Sequence, residues 1–305
     1  MGIAALALGM SSDLMILIRG DGPEADAAAR LAFWQAATGG LSAPNPALER
    51  QLAVDILALR GQVPAERLLA RRNSMLVRAA SALRAQAEAA PQGLRRAAEP
   101  GDVRRSRLRV PFAGFFSVEE FGLRFRRFDG SLSPEVTREV FIGADAVTVL
   151  PWDPVRDRVL VVEQVRTGPM ARGEANPWQL EPVAGRIDAG ETPEESARRE
   201  ALEEGGIVIG PLEKCAEYYP TTSAFSEYLY SYVAPCDLPD EAAGVFGLAE
   251  EAEDIRGHLV GFDDLVARMD AGELGNAPLI LTVQWLLRHR DRLKTAFLAD
   301  PRPGI

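Results

Sequence analysis

The hydrophobic positions repeat with a helical period over residues 1–90 and with an alternating period further along the chain. Ala-rich stretches follow Pro23 and Pro64, and Asn45 and Pro46 are typical of the N-cap and first residue of a helix. The short apolar run at 14–18 favours a strand. The predicted elements are this strand and helices over 23–38, 46–59 and 64–90.

From about Leu108 the pattern changes to short apolar strands separated by turn residues. Alternating aromatic positions from Phe115 to Phe125 precede Asp129-Gly130, a dipeptide that commonly closes a hairpin. Further strands are predicted at 146–150, 159–162 and 227–233, and helices near 261–271 and 279–294. This order predicts an α/β or α+β sandwich. We therefore expect a mainly helical region of unknown role at 1–90, a linker at 91–108 and a sandwich domain at 109–300.

Charge is divided unevenly along the 305 residues, with 34 basic and 44 acidic side chains in all. Residues 1–109 contain 15 arginines and 10 acidic residues, and the remainder contains 19 basic and 34 acidic residues. The net charge of −10 argues against a nucleic-acid binder. Among the basic residues, Arg67, Arg71, Arg72 and Arg78 form a cluster. We interpret this cluster as a solvated helix face rather than an anion-binding patch.

The cysteines and the N-terminus bear on the compartment. Cys215 and Cys236 do not form a CxxC pair, which indicates a reducing environment without structural zinc or disulfides. The apolar N-terminal stretch is shorter than the roughly 18 residues that a membrane span needs, and no basic residue precedes it. We expect a cytoplasmic protein with no membrane partner, and a degenerate signal peptide is the minor alternative.

One segment, 185–207, carries strong local signals. Thr192 is predicted to cap a helix, with Pro193 as its first residue and Glu195 completing a capping box. The glycine pair at 205–206 is predicted to end this helix. Between these limits Glu200, Glu203 and Glu204 are spaced i, i+3 and i+4. Their carboxylates therefore share one side of the last turn, where a cation would offset them.

Three glutamates alone would favour an acidic helix end that faces water. The whole segment, however, resembles the signature of the Nudix hydrolases, Gly-x5-Glu-x7-Arg-Glu-U-x-Glu-Glu-x-Gly-U, where U is apolar. This resemblance implies an α/β/α sandwich with a mixed sheet. The positions that match are Gly185, Glu191, Arg199, Glu200, Ala201, Glu203, Glu204, Gly206 and Ile207.

The same resemblance implies a metal cluster for hydrolysis of a diphosphate. Mg²⁺, with Mn²⁺ as an alternative, suits such a cluster because hard cations take oxygen ligands and neutralise phosphate charge. Arg199 would hold the cluster together by ion pairing, and Glu200 and Glu204 would act as catalytic metal ligands. The implied metal ligands are Glu200, Glu204, Glu253 and the carbonyl of Ala184, with Glu203 as a nearby ligand or orienting carboxylate.

Other motifs are similar to the ADP-ribose pyrophosphatase branch, especially to bacterial members associated with tellurite resistance. They include 163–166, 177–178, 181–185, the acidic loop 247–255 and 276–278. Within the acidic loop, the branch implies Glu251 as the general base that deprotonates the attacking water, and Glu250 is its close competitor. A loop suits a base that closes over a bound substrate.

The resemblance also implies a set of contacts to a nucleoside diphosphate. Phe115 and Phe116 would lie beside the adenine, although core packing of a hairpin explains either ring equally well. Arginines would pair with phosphate or stack on the base, and Glu227 would accept hydrogen bonds from ribose. A homodimer that exchanges the N-terminal strands of the domain is also implied. The substrate residues are Phe115, Phe116, Arg138, Glu139, Arg166, Arg186, Thr221, Thr222, Ser223 and Glu227.

One segment departs from the branch. Where it usually carries a proline in a Ser-Pro-Gly type loop, this chain has Thr222-Ser223, with its proline earlier at Pro220. The first interpretation is Mg²⁺-dependent hydrolysis of ADP-ribose to AMP and ribose 5-phosphate. The second retains the chemistry with another nucleoside diphosphate-linked sugar or cofactor. A third, a non-catalytic ADP-ribose sensor, is disfavoured because the signature glutamates are all present.

Overall fold

The computed structural model describes residues 10–89, 93–248 and 252–299. The chain divides into two compact units, with the main boundary between Ala144 and Asp145. Two short segments from beyond this boundary, Asp188–Gly190 and Thr221–Glu227, belong to the first unit.

The first unit contains a helical bundle. Its helices are α1 (Ser12–Arg19), α2 (Glu24–Thr38), α3 (Pro46–Ala58), α4 (Ala65–Ala70) and α5 (Arg72–Ala87). Their apolar faces meet in one core around Ile18, Trp34, Leu52 and Leu68. As predicted, α3 begins at Asn45, whose side chain accepts the Leu48 N–H at 2.9 Å.

Two predictions for the helical region need correction. The strand predicted at 14–18 is wrong, because α1 spans it: Ser11 caps the helix, and Leu14, Met15 and Ile18 are buried at helical spacing. The single helix predicted over 64–90 is interrupted at Arg71, which has φ −108° and ψ 18° and separates α4 from α5.

The first unit also contains a three-stranded antiparallel sheet in the order β1 (Val103–Ala113), β2 (Ser117–Phe125) and β3 (Val136–Ile142). Strand β1 begins inside the segment 91–108 that the sequence predicts as a linker, and the sheet belongs to the same compact unit as the helices. The bounds of the sandwich domain, 109–300 on sequence grounds, therefore stay a prediction.

The second unit is built on an eight-stranded sheet. Its main path runs β10-β11-β5-β4-β9-β8, with β6 beside β5 and β7 beside β4. The β4–β9 pair is parallel and the other pairs are antiparallel, so the sheet is mixed. The strands are β4 (Ala146–Asp153), β5 (Arg158–Val165), β6 (Trp178–Glu181), β7 (Val183–Arg186), β8 (Glu213–Tyr218), β9 (Leu229–Pro235), β10 (Val245–Phe246) and β11 (Ile255–Gly261).

Helices cover both faces of this sheet, because alternate strand residues point to opposite sides. On one face, Val147 and Leu160 pack with Ala197 and Ala201 of α7 (Pro193–Gly205). On the other face, Trp152 packs in a core with residues of the C-terminal helices. The remaining helices are α6 (Thr167–Arg172), α8 (Phe262–Asp270) and α9 (Ala277–Ala299). The second unit is thus an α/β/α sandwich with a mixed sheet, as predicted.

Among the described residues, no helix is both long and apolar enough to cross a membrane.

Candidate active site

Helix α7 begins and ends as its sequence predicts. The Thr192 hydroxyl accepts the Glu195 N–H at 3.2 Å, and the Glu195 carboxylate accepts the Thr192 N–H at 2.8 Å. The helix ends at Gly206, which is left-handed with φ 61°. These local signals place three acidic residues, Glu200, Glu203 and Glu204, in the last two turns.

Two of these carboxylates are buried. Glu200 is 8% exposed and Glu204 is 4% exposed. Burial raises the pKa of Glu200 to about 7 and that of Glu204 to about 8, and negative charge on Glu253 adds to both shifts. The Ala184 N–H donates to Glu204 at 2.9 Å and partly offsets the cost. The helix end therefore concentrates negative charge that is only partly compensated.

Arg199 is the cation at the centre of this cluster. Its Nε and Nη2 donate to the two oxygens of Glu191, each at 3.0 Å. Its Nη1 donates to Glu200 at 2.7 Å and to Glu203 at 3.0 Å. A further bond, at 3.0 Å, reaches the carbonyl of Arg186. One guanidinium thus fixes the loop before α7 and two carboxylates of its last turns.

Gly185 allows strand β7 to lie directly against α7. A Cβ placed on Gly185 would lie 1.9 Å from Glu200 Oε1, far inside van der Waals contact. The adjacent residue, Ala184, donates its N–H to Glu204 and is paired with Thr148 in β4. The glycine is therefore required by the position of the Glu200 carboxylate.

A third buried acid lies on β6. Glu181 is 7% exposed and accepts Nε and Nη2 of Arg166 at 3.0 and 2.6 Å. Asn276 Nδ2 also donates to it at 3.2 Å. Burial lowers the pKa of Arg166, but hydrogen bonding to Glu181 and the charges of Glu181, Glu204 and Glu253 raise it overall. Arg166 is thus a firmly charged group in the electrostatic field of the glutamate cluster.

The acidic loop is partly described. Glu253 is half-buried and accepts the Leu248 N–H at 3.1 Å, next to the left-handed Gly247, whose φ is 105°. Glu251, which the sequence predicts as the base, and Glu250, its competitor, lie outside the described residues.

The aromatic residues Phe115 and Phe116 belong to the first unit and lie between β1 and β2. Phe116 contacts Phe115, Phe141 and Phe225, with ring centroids 5.0, 5.4 and 6.2 Å apart. Phe115 itself is 69% exposed. Phe116 is therefore packed within an aromatic cluster, and Phe115 lies at its surface.

Most other predicted substrate residues are accessible. Arg138 and Glu139 are exposed on β3, where Arg138 donates to the Thr137 carbonyl at 2.8 Å. Thr221, Thr222 and Ser223 form an exposed segment. Glu227 and Arg186 are half-buried. Apart from Arg166 and Arg186, these residues belong to the first unit, whereas the glutamate cluster belongs to the second.

Known proteins resemble this chain over the region that contains the glutamate cluster. The family model of the NUDIX domain matches residues 144–281. A protein named ADP-ribose pyrophosphatase from Escherichia coli (strain K12) is 39% identical over 183 residues, which cover 60% of this chain and 87% of the relative. The chain belongs to the Nudix hydrolase family.

Two more distant matches accompany this one. A protein named GDP-mannose pyrophosphatase from Pectobacterium atrosepticum is 28% identical over 56% of this chain and 86% of its own length. A crystal structure described as an ADP compounds hydrolase matches 63% of this chain and 98% of its own at 20% identity, with a TM-score of 0.48.

The Nudix segment, 185–207, has the chemistry of a site for a hard cation. Its donors are carboxylate and carbonyl oxygens, and a bound cation would offset the cost of burying negative charge on Glu200 and Glu204. Within 10–89, 93–248 and 252–299, no three His, Cys, Asp or Glu side chains converge closely enough to hold a metal. The described residues thus fit a cation by charge and donor type without forming a closed ligand cage.

Sequence reasoning overlooked Glu181 and Asn276 as site residues. Both lie in motifs that resemble the ADP-ribose pyrophosphatase branch, Glu181 in 181–185 and Asn276 in 276–278. Their joint role is to hold Arg166, and it depends on residues 95 positions apart. An acid just before the Nudix segment, together with an arginine directly after the neighbouring strand β5, is the signal that points to it.

Proposed function

We propose that this chain hydrolyses the diphosphate bond of ADP-ribose, in a Mg²⁺-dependent reaction, to AMP and ribose 5-phosphate. The observation that carries the proposal is the buried pair Glu200 and Glu204, bound to Arg199 and to the backbone of Ala184 in the Nudix segment. The substrate is supported by the 39% identity to a relative named ADP-ribose pyrophosphatase.

The residues proposed to hold Mg²⁺, or Mn²⁺ in its place, are Glu200, Glu204, Glu253 and the Ala184 carbonyl, with Glu203 as a nearby ligand or orienting carboxylate. When bound, the metal neutralises diphosphate charge and lowers the pKa of water. Arg199 keeps Glu200 and Glu203 in place through its ion pairs. Its bond to Glu191 anchors the opposite end of the segment.

The proposed general base is Glu251. In the reaction, the oxygen of water bonds to phosphorus and the bond from phosphorus to the bridging oxygen breaks. The proton of the water passes to the Glu251 carboxylate, and the bridging oxygen leaves with the other phosphate. A loop suits a base that moves in over a bound substrate. Glu250 is the competing candidate.

Cationic and aromatic side chains are proposed to bind the substrate. Arg166, held by Glu181, supplies a fixed positive charge for the diphosphate. Phe115 and Phe116 supply ring faces for the base. The further proposed contacts are Arg138, Glu139, Arg186, Thr221, Thr222, Ser223 and Glu227. A homodimer formed by exchange of the N-terminal strands of the domain is part of the same proposal.

An alternative substrate is another nucleoside diphosphate-linked sugar or cofactor. The Thr222-Ser223 segment, which replaces the proline typical of the ADP-ribose branch, favours it. The 28% identity to a relative named GDP-mannose pyrophosphatase is in accord with it. The chemistry and the metal ligands would be unchanged.

Initial rates on a substrate panel test both candidates. Full-length protein would be incubated with ADP-ribose, ADP-glucose, GDP-mannose, NADH and diadenosine tetraphosphate, with and without Mg²⁺. The proposal expects the highest kcat/KM for ADP-ribose and equal amounts of AMP and ribose 5-phosphate. A higher kcat/KM for another nucleoside diphosphate-linked compound would establish the alternative. Binding of ADP-ribose without turnover of any compound would contradict both and establish a sensor.

A further inference from the structure

Three arginines of the helical region reach the two strands that carry the Phe115–Phe116 turn. Arg67 Nη1 donates to the Ala113 carbonyl and Arg71 Nη2 to the Phe115 carbonyl, each at 3.5 Å. Arg78 binds both carboxylate oxygens of Glu119 on β2, one of them at 3.2 Å. Arg78 therefore does not lie on a solvated helix face, and this part of the interpretation of the cluster is wrong.

The pair Arg78–Glu119 is the central contact of this set. The Glu119 side chain is 1% exposed and that of Arg78 is 25% exposed, so the pair is screened from water. Removing one partner of such a pair leaves a buried charge uncompensated, which is strongly destabilising for the local arrangement. The position of β2 relative to α5 is thus fixed much more firmly than a surface ion pair would fix it.

The end of β1 is held in the same way. Ala113 is 8% exposed and lies in the core of the helical bundle. The Val110 N–H donates to Gln62 Oε1 at 3.1 Å. Between the strands, the Gly114 N–H donates to the Phe116 carbonyl at 2.8 Å and closes the turn. Both strands are therefore bound to the helices close to the turn.

The turn is also tied to the segment Thr221–Glu227. Phe225 packs against Phe116 and Phe141, with ring centroids 6.2 Å apart in each pair. Ser226 accepts the Gly143 N–H at 3.0 Å. The aromatic cluster thus connects the turn to the segment that departs from the ADP-ribose branch.

We propose that the helical region, 10–89, is a positioning element that fixes the Phe115–Phe116 turn for stacking on the base of a nucleotide, with Arg78 as its principal positioning residue. The proposal rests on the proposed function, which places the base at these rings. Because the helices are assigned to base binding, loosening them raises KM and leaves kcat nearly unchanged.

Arg78→Met, compared with Arg72→Gln, tests this role. Arg72 neighbours Arg71 but donates to the carbonyls of Leu41 and Ser42, inside the helical region, so it is a matched control. Since stacking on an aromatic ring contributes substantially to nucleotide affinity, we expect Arg78→Met to raise the KM for ADP-ribose about 5- to 20-fold. The kcat should change by less than about 2-fold, and Arg72→Gln should change neither constant.

A double-mutant cycle separates positioning from general destabilisation. In a Phe115→Ala, Phe116→Ala background the Arg78→Met substitution should have almost no further effect on KM, because the rings through which it acts are absent. An undiminished effect, or an equal loss of kcat, would overturn the proposal. If Arg78→Met does not fold, Arg71→Gln provides the milder test, with an expected rise in KM of about 2-fold that also vanishes in this background.

Hydrogen exchange makes the test independent of turnover. Amides of 114–117 should exchange at least about 10-fold faster in Arg78→Met than in wild type or Arg72→Gln, because opening of the turn is easier. Unchanged exchange would show that the helices do not hold the turn. Faster exchange without hydrolysis of any nucleotide substrate would reject the proposed function and, with it, the assignment of the rings to a base, while leaving the structural tie intact.

Discussion

Glu119 in the first unit and Glu204 in the second are buried in different ways. In the first unit, Glu119 is buried against one guanidinium, that of Arg78, which binds both of its oxygens. In the second unit, one guanidinium serves three carboxylates, and burial raises the pKa of Glu200 to about 7 and of Glu204 to about 8. A balanced pair holds structure together, whereas an excess of buried carboxylates indicates a place for a cation that the protein itself does not supply.

The largest effect should come from removing one charge of this excess. Glu204→Gln should lower kcat/KM for ADP-ribose by roughly 10³-fold, since several kcal/mol of charge stabilisation depend on the metal. Calorimetric titration with Mg²⁺ should show weaker binding by the same variant. Glu241→Gln, an exposed acid in the second unit, is the control and should match wild type. Full activity of Glu204→Gln would show that Glu204, like Glu119, is not needed to bind a metal.

Loss of the base should be next in size. Glu251→Gln should lower kcat by about 10²- to 10⁴-fold, the usual contribution of a positioned general base, with little change in Mg²⁺ or ADP-ribose affinity. Glu250→Gln is the matched control. If Glu250→Gln loses kcat and Glu251→Gln does not, the base is the preceding residue.

A smaller effect is expected from filling the gap between β7 and α7. In Gly185→Ala the new Cβ would collide with the Glu200 carboxylate, so that carboxylate must move away from the cluster. We expect Mg²⁺ affinity to fall about 10-fold or more, because a ligand that is displaced from its position binds the metal less tightly. Gly168→Ala, where the added Cβ meets no atom within 4 Å, should bind Mg²⁺ as wild type does.

The smallest effect concerns pH. A carboxyl whose pKa is raised on folding binds its proton more tightly in the native state, so its stabilising contribution is complete below pH 4.5 and is lost as pH rises toward about 8. Without metal, wild type should therefore lose several degrees of Tm between pH 5 and pH 8 relative to Glu204→Gln. If Tm changes with pH in the same way for both proteins, burial does not raise the pKa of Glu204.

The part of this site that the sequence predicts is the part with local causes. The cap at Thr192, the glycine end of α7 and the spacing of its glutamates all depend on neighbours within one or two turns. Family resemblance added the identity of the site. The strand predicted at 14–18 was wrong because a short apolar run fits the period of a strand as well as that of a helix. Packing against the other helices of the bundle favours the helix.

Long-range pairs were outside the reach of periodicity. Arg78 and Glu119 are 41 residues apart, and Glu181 and Asn276 are 95 apart. Each pairing depends on which elements pack together, so it cannot be predicted from residue type or spacing. For the same reason, the arginine cluster was interpreted as solvated, although one of its members, Arg78, pairs with a buried glutamate of a strand.

The central claim is that the buried excess of carboxylates is the metal site of an ADP-ribose hydrolase. The most direct measurement is the release of AMP from ADP-ribose by wild type and Glu204→Gln, each with Mg²⁺ and with EDTA. The account predicts rapid release only by wild type with Mg²⁺. Equal release in EDTA, or equal release by Glu204→Gln, would contradict it.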